Sequence, residues 1–511
     1  MDNKTIHSVL RRNAFWSLFR HGVVFSIVFV LTPIIIKAIG DAQYGLWMLI
    51  FSIVGYAGLL EMGVQQATIK LVSEYHGKGD SQKLNIVASA ALSFFIVIGL
   101  LVAMLCWFVL PHYMYLFVED PSVLALTGPL LQIVGTNIIL VFVANVFIGI
   151  ALGLHQYHLR SLLDIVIGVA RLAFTILILE MGYGLLGIAW LKLLLDAAVG
   201  AAMWLICRYS FKELRLSPFL LSSEGFKILF SYGGKIFLGS GMERLYKFTT
   251  PIAISFFLST IWTAYYSVAD RLTGYLNEIV WAVSASFLPM FSELKAQGEH
   301  EVVQNIYVQY TRYILIFSMP LFTSLIFLGP AFLNLWIGNR YATYAGPVLI
   351  LLSLSAMVAG LQPLLGRLMI GSGNLNFYVR IRMIVFCFSM ILGVAFIPWL
   401  GIIGPPAVQV FSTFLMQLIF FLHIDRRMHI FWKEFLVNCH LRLLIPVGVY
   451  ALSLALIQNF IDPSSYFHLI ATASIPLLIY LPAVFFLVLT KKEGLYLIYG
   501  ILSFFKFRHG M

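Results

Sequence analysis

The sequence predicts an all-α polytopic membrane protein with about 14 transmembrane helices. Hydrophobic residues make up 61% of the 511 positions and charged residues only 11%, against about 25% charged in soluble domains. Stretches of roughly 20 or more mostly apolar residues, the length that crosses about 30 Å of hydrocarbon, recur from end to end. Lys and Arg gather in alternate loops: 21 lie in one set of loops and tails, and only Arg340 and Lys37 in the other. That bias places both termini in the cytoplasm and requires an even number of spans.

The spans are read near 14–39, 43–71, 85–110, 123–153, 160–180, 184–208, 225–257, 260–291, 306–329, 344–371, 378–398, 402–424, 440–460 and 467–489. The first follows Arg11 and Arg12, is too long for a signal-peptide core and lacks a small-residue cleavage site, so it reads as a retained helix. Those that follow are continuous apolar runs rather than ten-residue alternations, which excludes a β-barrel. Helix remains, because an open strand leaves its backbone groups unsatisfied in lipid.

Several chemistries find no support. Cys106, Cys207, Cys387 and Cys439 stand singly, without metal or disulfide spacing. His155 and His158 have no further ligands nearby, and the Gly371-Ser372-Gly373-Asn374 run lacks a P-loop lysine. No metal, cofactor or catalytic constellation is therefore expected. The formal charge of +11 is dispersed over loops, so it orients a membrane protein and does not form a nucleic-acid surface. The basic, aromatic tail from Lys491, with Tyr496, Phe504, Phe505 and Phe507, reads as an interfacial segment.

An internal repeat organises the chain. Shifting it by 217 to 220 residues aligns Thr32-Pro33-Ile34 with Thr250-Pro251-Ile252, Ser73-Glu74 with Ser292-Glu293 and Gly79 with Gly298. Asn85-Ile86 then meets Asn305-Ile306, Gly128-Pro129 meets Gly346-Pro347, Gly149 meets Gly366, and Gly184 with Gly187 meets Gly401 with Gly404. Six helices per unit make the halves parallel repeats, as in secondary transporters that rock two lobes about a midplane site. The expected domains are 1–208 and 209–424, two six-helix lobes, and 425–511, two appended helices with a basic cytoplasmic tail.

Ionisable residues inside spans are costly and mark pathways. The candidates are Arg20, Glu61, Lys70, Asp164, Arg171, Lys192, Asp196, Lys235, Glu243, Arg244, Lys247, Asp270, Arg271, Glu278, Arg312 and Arg367. Glu243 and Lys247 are spaced for an intrahelical pair. Asp270 lies beside Arg271, which shares a helix face with Glu278. Lys70, Lys192 and Arg312 lie near span ends, where snorkelling accounts for them. Arg20, Lys235, Arg244 and Arg271 are not all matched by nearby carboxylates. With Glu180 counted, ten basic residues stand against seven acidic ones. That surplus suits a phosphate or an acidic sugar, which guanidinium grips bidentately, and repels a cationic drug.

The run Gly40-Asp41-Ala42-Gln43-Tyr44-Gly45-Leu46-Trp47, then Leu60-Glu61-Met62-Gly63, with Ala67, Lys70, Glu74-Tyr75 and Gly79, resembles bacterial polysaccharide-type flippases, including O-antigen flippases. These belong to the multidrug/oligosaccharidyl-lipid/polysaccharide exporter superfamily. The repeat and the two extra spans extend the resemblance over the whole chain. Glu61 stands where members often carry Asp, and the first-helix aspartate of many drug exporters has no match.

The resemblance implies a V-shaped pair of lobes in a bacterial inner membrane. Its cargo would be a polyprenyl-diphosphate-linked oligosaccharide carried to the outer leaflet by alternating access. Substrate-binding candidates are Arg20, Lys235, Arg244, Lys247 and Arg271. Coupling candidates are Glu61, Glu243, Asp270 and Glu278, working with H+ or Na+. Membrane lipids and polysaccharide-assembly proteins are the expected partners. The alternatives are a multidrug or small-metabolite cation antiporter on the same scaffold, and a membrane-embedded glycosyltransferase or polymerase.

Overall fold

The computed structural model describes residues 3–216, 223–285, 287–371, 375–428, 435–460, 463–489 and 493. Among these the chain is helical without a strand, and helices occupy all of the predicted spans. They run α1 Asn3–Ile39, α2 Asp41–Gly77, α3 Ser81–Met104, α4 Pro121–Gly153, α5 Tyr157–Glu180, α6 Gly184–Ser210, α7 Ser223–Phe257, α8 Thr260–Ala285, α9 Phe287–Ala296, α10 His300–Trp336, α11 Asn339–Ala359, α12 Leu365–Gly371, α13 Leu375–Ala395, α14 Gly404–Met428, α15 Arg442–Gln458, α16 Tyr466–Ser474 and α17 Leu477–Leu487.

Among the described residues, 12 helical segments are long and apolar enough to cross a membrane. α7 and α8, over the seventh and eighth predicted spans, are not among them. Their sequences concentrate the charges singled out above, so length alone argues for a crossing there. Local chemistry sets the helix ends. Asp80 and Asp120 cap α3 and α4 by accepting hydrogen bonds from Lys83 N (3.0 Å) and Ser122 N (2.8 Å). Pro121 then occupies the first turn of α4, where no intrahelical N–H is needed.

The repeat recurs in backbone geometry. Gly79 and Gly298 both adopt positive φ (69° and 78°), as do Gly184 and Gly401 (57° and 60°). Pro33 and Pro251 lie inside α1 and α7, and Pro129 and Pro347 inside α4 and α11.

The chain divides into two compact units, Met1–Ser267 and Val268–Met511. Unit 1 has an apolar core built from α2, α3, α4 and α6, including Ala67, Val72, Phe95, Phe142, Val146 and Met203. The Gly40–Trp47 run acquires a physical meaning here. Gly40 turns the chain between α1 and α2 at φ 81°, a conformation other residues rarely adopt. Asp41 accepts a hydrogen bond from the Tyr265 hydroxyl (3.1 Å), and Tyr44 and Leu46 are fully buried. At Gly45 a Cβ would lie 1.7 Å from the Thr260 carbonyl oxygen, so only glycine permits that backbone approach. In unit 2 a second core joins α10, α12, α14, α15 and α17 around Tyr307, Leu315, Phe420, Phe435, Tyr450 and Tyr480.

Candidate functional site

Burial separates the helices of unit 1. In α4, 61% of the spanning stretch is buried, whereas in α5 only 6% is. α5 therefore lies at the perimeter, and Val166, Val169, Phe174 and Leu177 are exposed there. Its charged residues Arg160, Asp164 and Arg171 recur at helical spacing on the opposite face, with Ile167 and Gly168 between them. A perimeter helix in lipid is polar on its inner side, the reverse of a soluble surface helix.

That inner face closes a cavity of about 310 Å³ between α1, α4, α5 and α6. Arg20, Asn145, Arg160, Asp164, Arg171 and Asp196 supply its polar lining, and Val24, Ile27, Ile148 and Val199 much of the apolar wall. Two carboxylates each serve two cations. Asp164 pairs with Arg20 (2.9 Å) and with Arg160 (2.8 Å). Asp196 pairs with Arg171 (3.5 Å) and with Lys192, and accepts a hydrogen bond from Asn137 Nδ2 (3.1 Å). Each cluster thus keeps one uncompensated positive charge. Arg20 Nε, Arg160 Nη1 and Arg171 Nε are buried N–H groups without a hydrogen-bond acceptor. Donors of this kind are costly unless an acceptor arrives.

A polar chain leads away from the cavity. Asn145 donates to Glu61 Oε1 on α2 (2.5 Å) and accepts from Gln65 Nε2 (3.5 Å), and the Arg244 charge on α7 acts on Glu61. Glu61 is therefore hydrogen bonded by an amide from α4 and lies in the field of a guanidinium from α7.

The candidates read from the sequence are distributed between the units. Arg20 lines the cavity, and it has a carboxylate partner, Asp164, 144 residues away, where sequence proximity offered none. Glu61 and Arg244 sit on the polar chain; Lys247 is exposed on α7. The side chains of Lys235 and Glu243 lie outside the described residues. Asp270 and Arg271 are half-buried and Glu278 is exposed, all on α8 in unit 2. Arg160, at the first position of the predicted fifth span and not among the charged candidates, is in the first turn of α5, 22% exposed, and serves both as Asp164's partner and as cavity wall. All three residues read as snorkelling are paired: Lys70 with Glu74 (3.9 Å), Lys192 with Asp196, and Arg312 with Glu493. The signal for the site was present as Arg160/Asp164 and Lys192/Asp196, two pairs at i,i+4 on adjacent spans. The tail from residue 494 and residues 372–374 lie outside the described residues.

A bundle of membrane-length helices, repeated by parallel internal duplication and carrying charge in its interior, defines a polytopic membrane transport protein. Residues 10–295 match the family described as "Polysaccharide biosynthesis protein", and the chain belongs to that family, a flippase-like member of the multidrug/oligosaccharidyl-lipid/polysaccharide exporter superfamily. It is 23% identical over 392 residues to "Probable flippase AglR" of Haloferax volcanii, covering 76% of this chain and 77% of that one. Among solved structures it is similar in fold to lipid II flippase MurJ in an inward closed conformation, with a TM-score of 0.73, 15% identity, and coverage of 92% and 97%. It is also similar to an inward-facing multidrug resistance MATE family transporter, with a TM-score of 0.67, 15% identity, and coverage of 81% and 95%.

Proposed function

We propose that this protein moves a polyprenyl-diphosphate-linked oligosaccharide, the repeat unit of a surface polysaccharide, from the cytoplasmic to the outer leaflet of a bacterial inner membrane. The observation that carries the reading is the cavity of unit 1. Four cations, three of them lining the cavity and Lys192 beside its Asp196, share two carboxylates, leaving an excess of two positive charges and three buried, unpartnered N–H groups. A diphosphate esterified at both ends carries two negative charges and an array of acceptor oxygens, which matches that excess in sign and number. In hydrocarbon the head group loses its water, and guanidinium donors replace those hydrogen bonds. The polyprenyl tail stays in lipid. Membership in a polysaccharide biosynthesis family and the relative named a probable flippase support the same reading.

Alternating access then needs a ligand that binds the two states unequally. Entry of a phosphate between Arg20 and Arg160 competes with Asp164, and between Arg171 and Lys192 with Asp196. Glu61, coupled through Asn145 and Arg244, is the carboxylate by which H+ or Na+ would bias the same equilibrium. Glu243, Asp270 and Glu278 keep that candidacy from the sequence.

The test is a strain lacking this protein. Lipid-linked glycan is expected to accumulate in the cytoplasmic leaflet, shielded from a non-permeant sugar probe, and wild-type protein restores its exposure outside. Unchanged leaflet distribution and unchanged surface polysaccharide would overturn the reading. Altered susceptibility to cationic drugs without a glycan phenotype would assign the scaffold to multidrug transport instead.

A further inference from the structure

Unit 2 contains a second arrangement that the diphosphate reading leaves unused. On α8, Asn277, Glu278 and Trp281 are all exposed, and Trp281 is 64% exposed. In a span, exposed polar groups of this kind are costly against hydrocarbon and belong against water or a polar ligand. The guanidinium of Arg367, on α12, lies over the Trp281 ring at 4.7 Å from its centroid. It covers one part of an indole that is otherwise open. Arg367 Nη2 is buried and has no hydrogen-bond partner.

α13 completes the cluster. A Cβ on Gly366 would sit 2.6 Å from the Tyr378 hydroxyl, so that hydroxyl lies directly beside the residue preceding Arg367. Arg382 Nη1 donates to the same hydroxyl (3.1 Å), and its guanidinium stacks over Tyr378 (5.4 Å) and Phe386 (5.2 Å). The result is an exposed indole with a guanidinium over its ring, an amide and a carboxylate about one turn away on the same helix, and a phenol beside the residue that precedes that arginine.

We propose that Trp281 and Arg367, supported by Tyr378 and Arg382, form a subsite for a sugar ring of the lipid-linked glycan, a proposal that rests on the flippase reading above. A pyranose presents an apolar C–H face that packs on an indole, and hydroxyls around its rim that need donors and acceptors. An aromatic body with polar neighbours meets both demands. A bare phosphate would use the arginines and leave the indole without a role. A hydrocarbon tail would use the indole and strand the Arg367 donor and the Glu278 carboxylate.

The experiment uses the full chain in lipid nanodiscs and two probes. One is the lipid-linked glycan pool extracted from cells lacking this protein; the other is the polyprenyl diphosphate left when the glycan is removed. Trp281→Ala and Arg367→Ala are expected to weaken glycolipid binding by about tenfold and to leave polyprenyl diphosphate binding unchanged. Trp281→Phe, which keeps a ring, retains most of the affinity and controls for folding, as does an unchanged melting temperature. Arg160→Ala is expected to weaken both probes. Glycolipid binding unaffected by Trp281→Ala, or both probes weakened equally, would overturn the subsite. Wild-type protein that binds neither probe would overturn the flippase reading itself and the subsite with it.

Discussion

The two units fill equivalent positions of the same repeat with different side-chain chemistry. Arg160 and Asp164 form an i,i+4 ion pair at the start of α5. At an offset of 218 residues stand Tyr378 and Arg382, again an i,i+4 pair near the start of their helix, joined by a hydrogen bond and a ring stack. The polar contact across α4 and α6 changes in the same way. Asn137 donates to Asp196 at 3.1 Å in unit 1. The corresponding pair in unit 2, Ser355 and Thr413, is hydrogen bonded at 3.1 Å between neutral hydroxyls. A repeated backbone thus keeps the contact positions while the side chains decide whether a contact carries charge. At these positions unit 1 has carboxylates with surplus arginine, and unit 2 has arginine against aromatic rings and a pair of hydroxyls.

Transplanting one pair into the other unit breaks this comparison most severely. Arg160→Tyr combined with Asp164→Arg places a guanidinium against Arg20 in place of its carboxylate. Loss of glycan flipping and a lowered melting temperature are expected, measured by the leaflet assay and by thermal unfolding in detergent. The reciprocal Tyr378→Arg with Arg382→Asp installs an ion pair, so the fold should persist while glycolipid affinity falls.

The next largest effect lies wholly in unit 2. Arg312 and Glu493 form an ion pair about nine-tenths buried, and Glu493 also accepts from the Tyr313 hydroxyl (2.8 Å). Arg312→Met strands a buried carboxylate and is expected to cost about 3–5 kcal/mol. Adding Glu493→Met should recover most of it, as chemical unfolding of the purified protein would show. Failure of the double variant to recover would mean that the pair does more than neutralise itself.

Asn137→Ala against Ser355→Ala sharpens the contrast at one equivalent contact. Removing a hydrogen bond to a charged group costs about 1.5–3 kcal/mol and to a neutral one about 1 kcal/mol. The unit 1 variant should therefore be the less stable of the two; equal losses would mean that a carboxylate acceptor adds nothing to this contact.

The smallest effect is a surface cap. The Ser122 hydroxyl and backbone N–H hold the Asp120 carboxyl below its usual range. A lowered folded-state value means that the cap stabilises above the unfolded value of about 3.9 and is lost as pH falls through the folded one. Asp120→Asn should thus lower the melting temperature slightly at neutral pH and leave it unchanged in strong acid.

The sequence by itself determined the class of protein, because hydrocarbon imposes its length and polarity on every span. It also determined the repeat, whose glycines and prolines mark turns and kinks that only those residues make readily. Arg20 was recognisable as a candidate, since a charge within a membrane span is costly and needs a partner or a polar surrounding. Its partner was not: Asp164 is 144 positions away, and α5 meets α1 only when the bundle closes. Lys192 and Arg312 looked like end-of-span lysine and arginine because sequence reveals distance along a helix and conceals what packs beside it. Trp281 and Arg367 are 86 residues apart and belong to no motif. Tertiary structure decided those pairings, because ion pairs and ring stacks act over a few ångströms, and only packing brings such distances about.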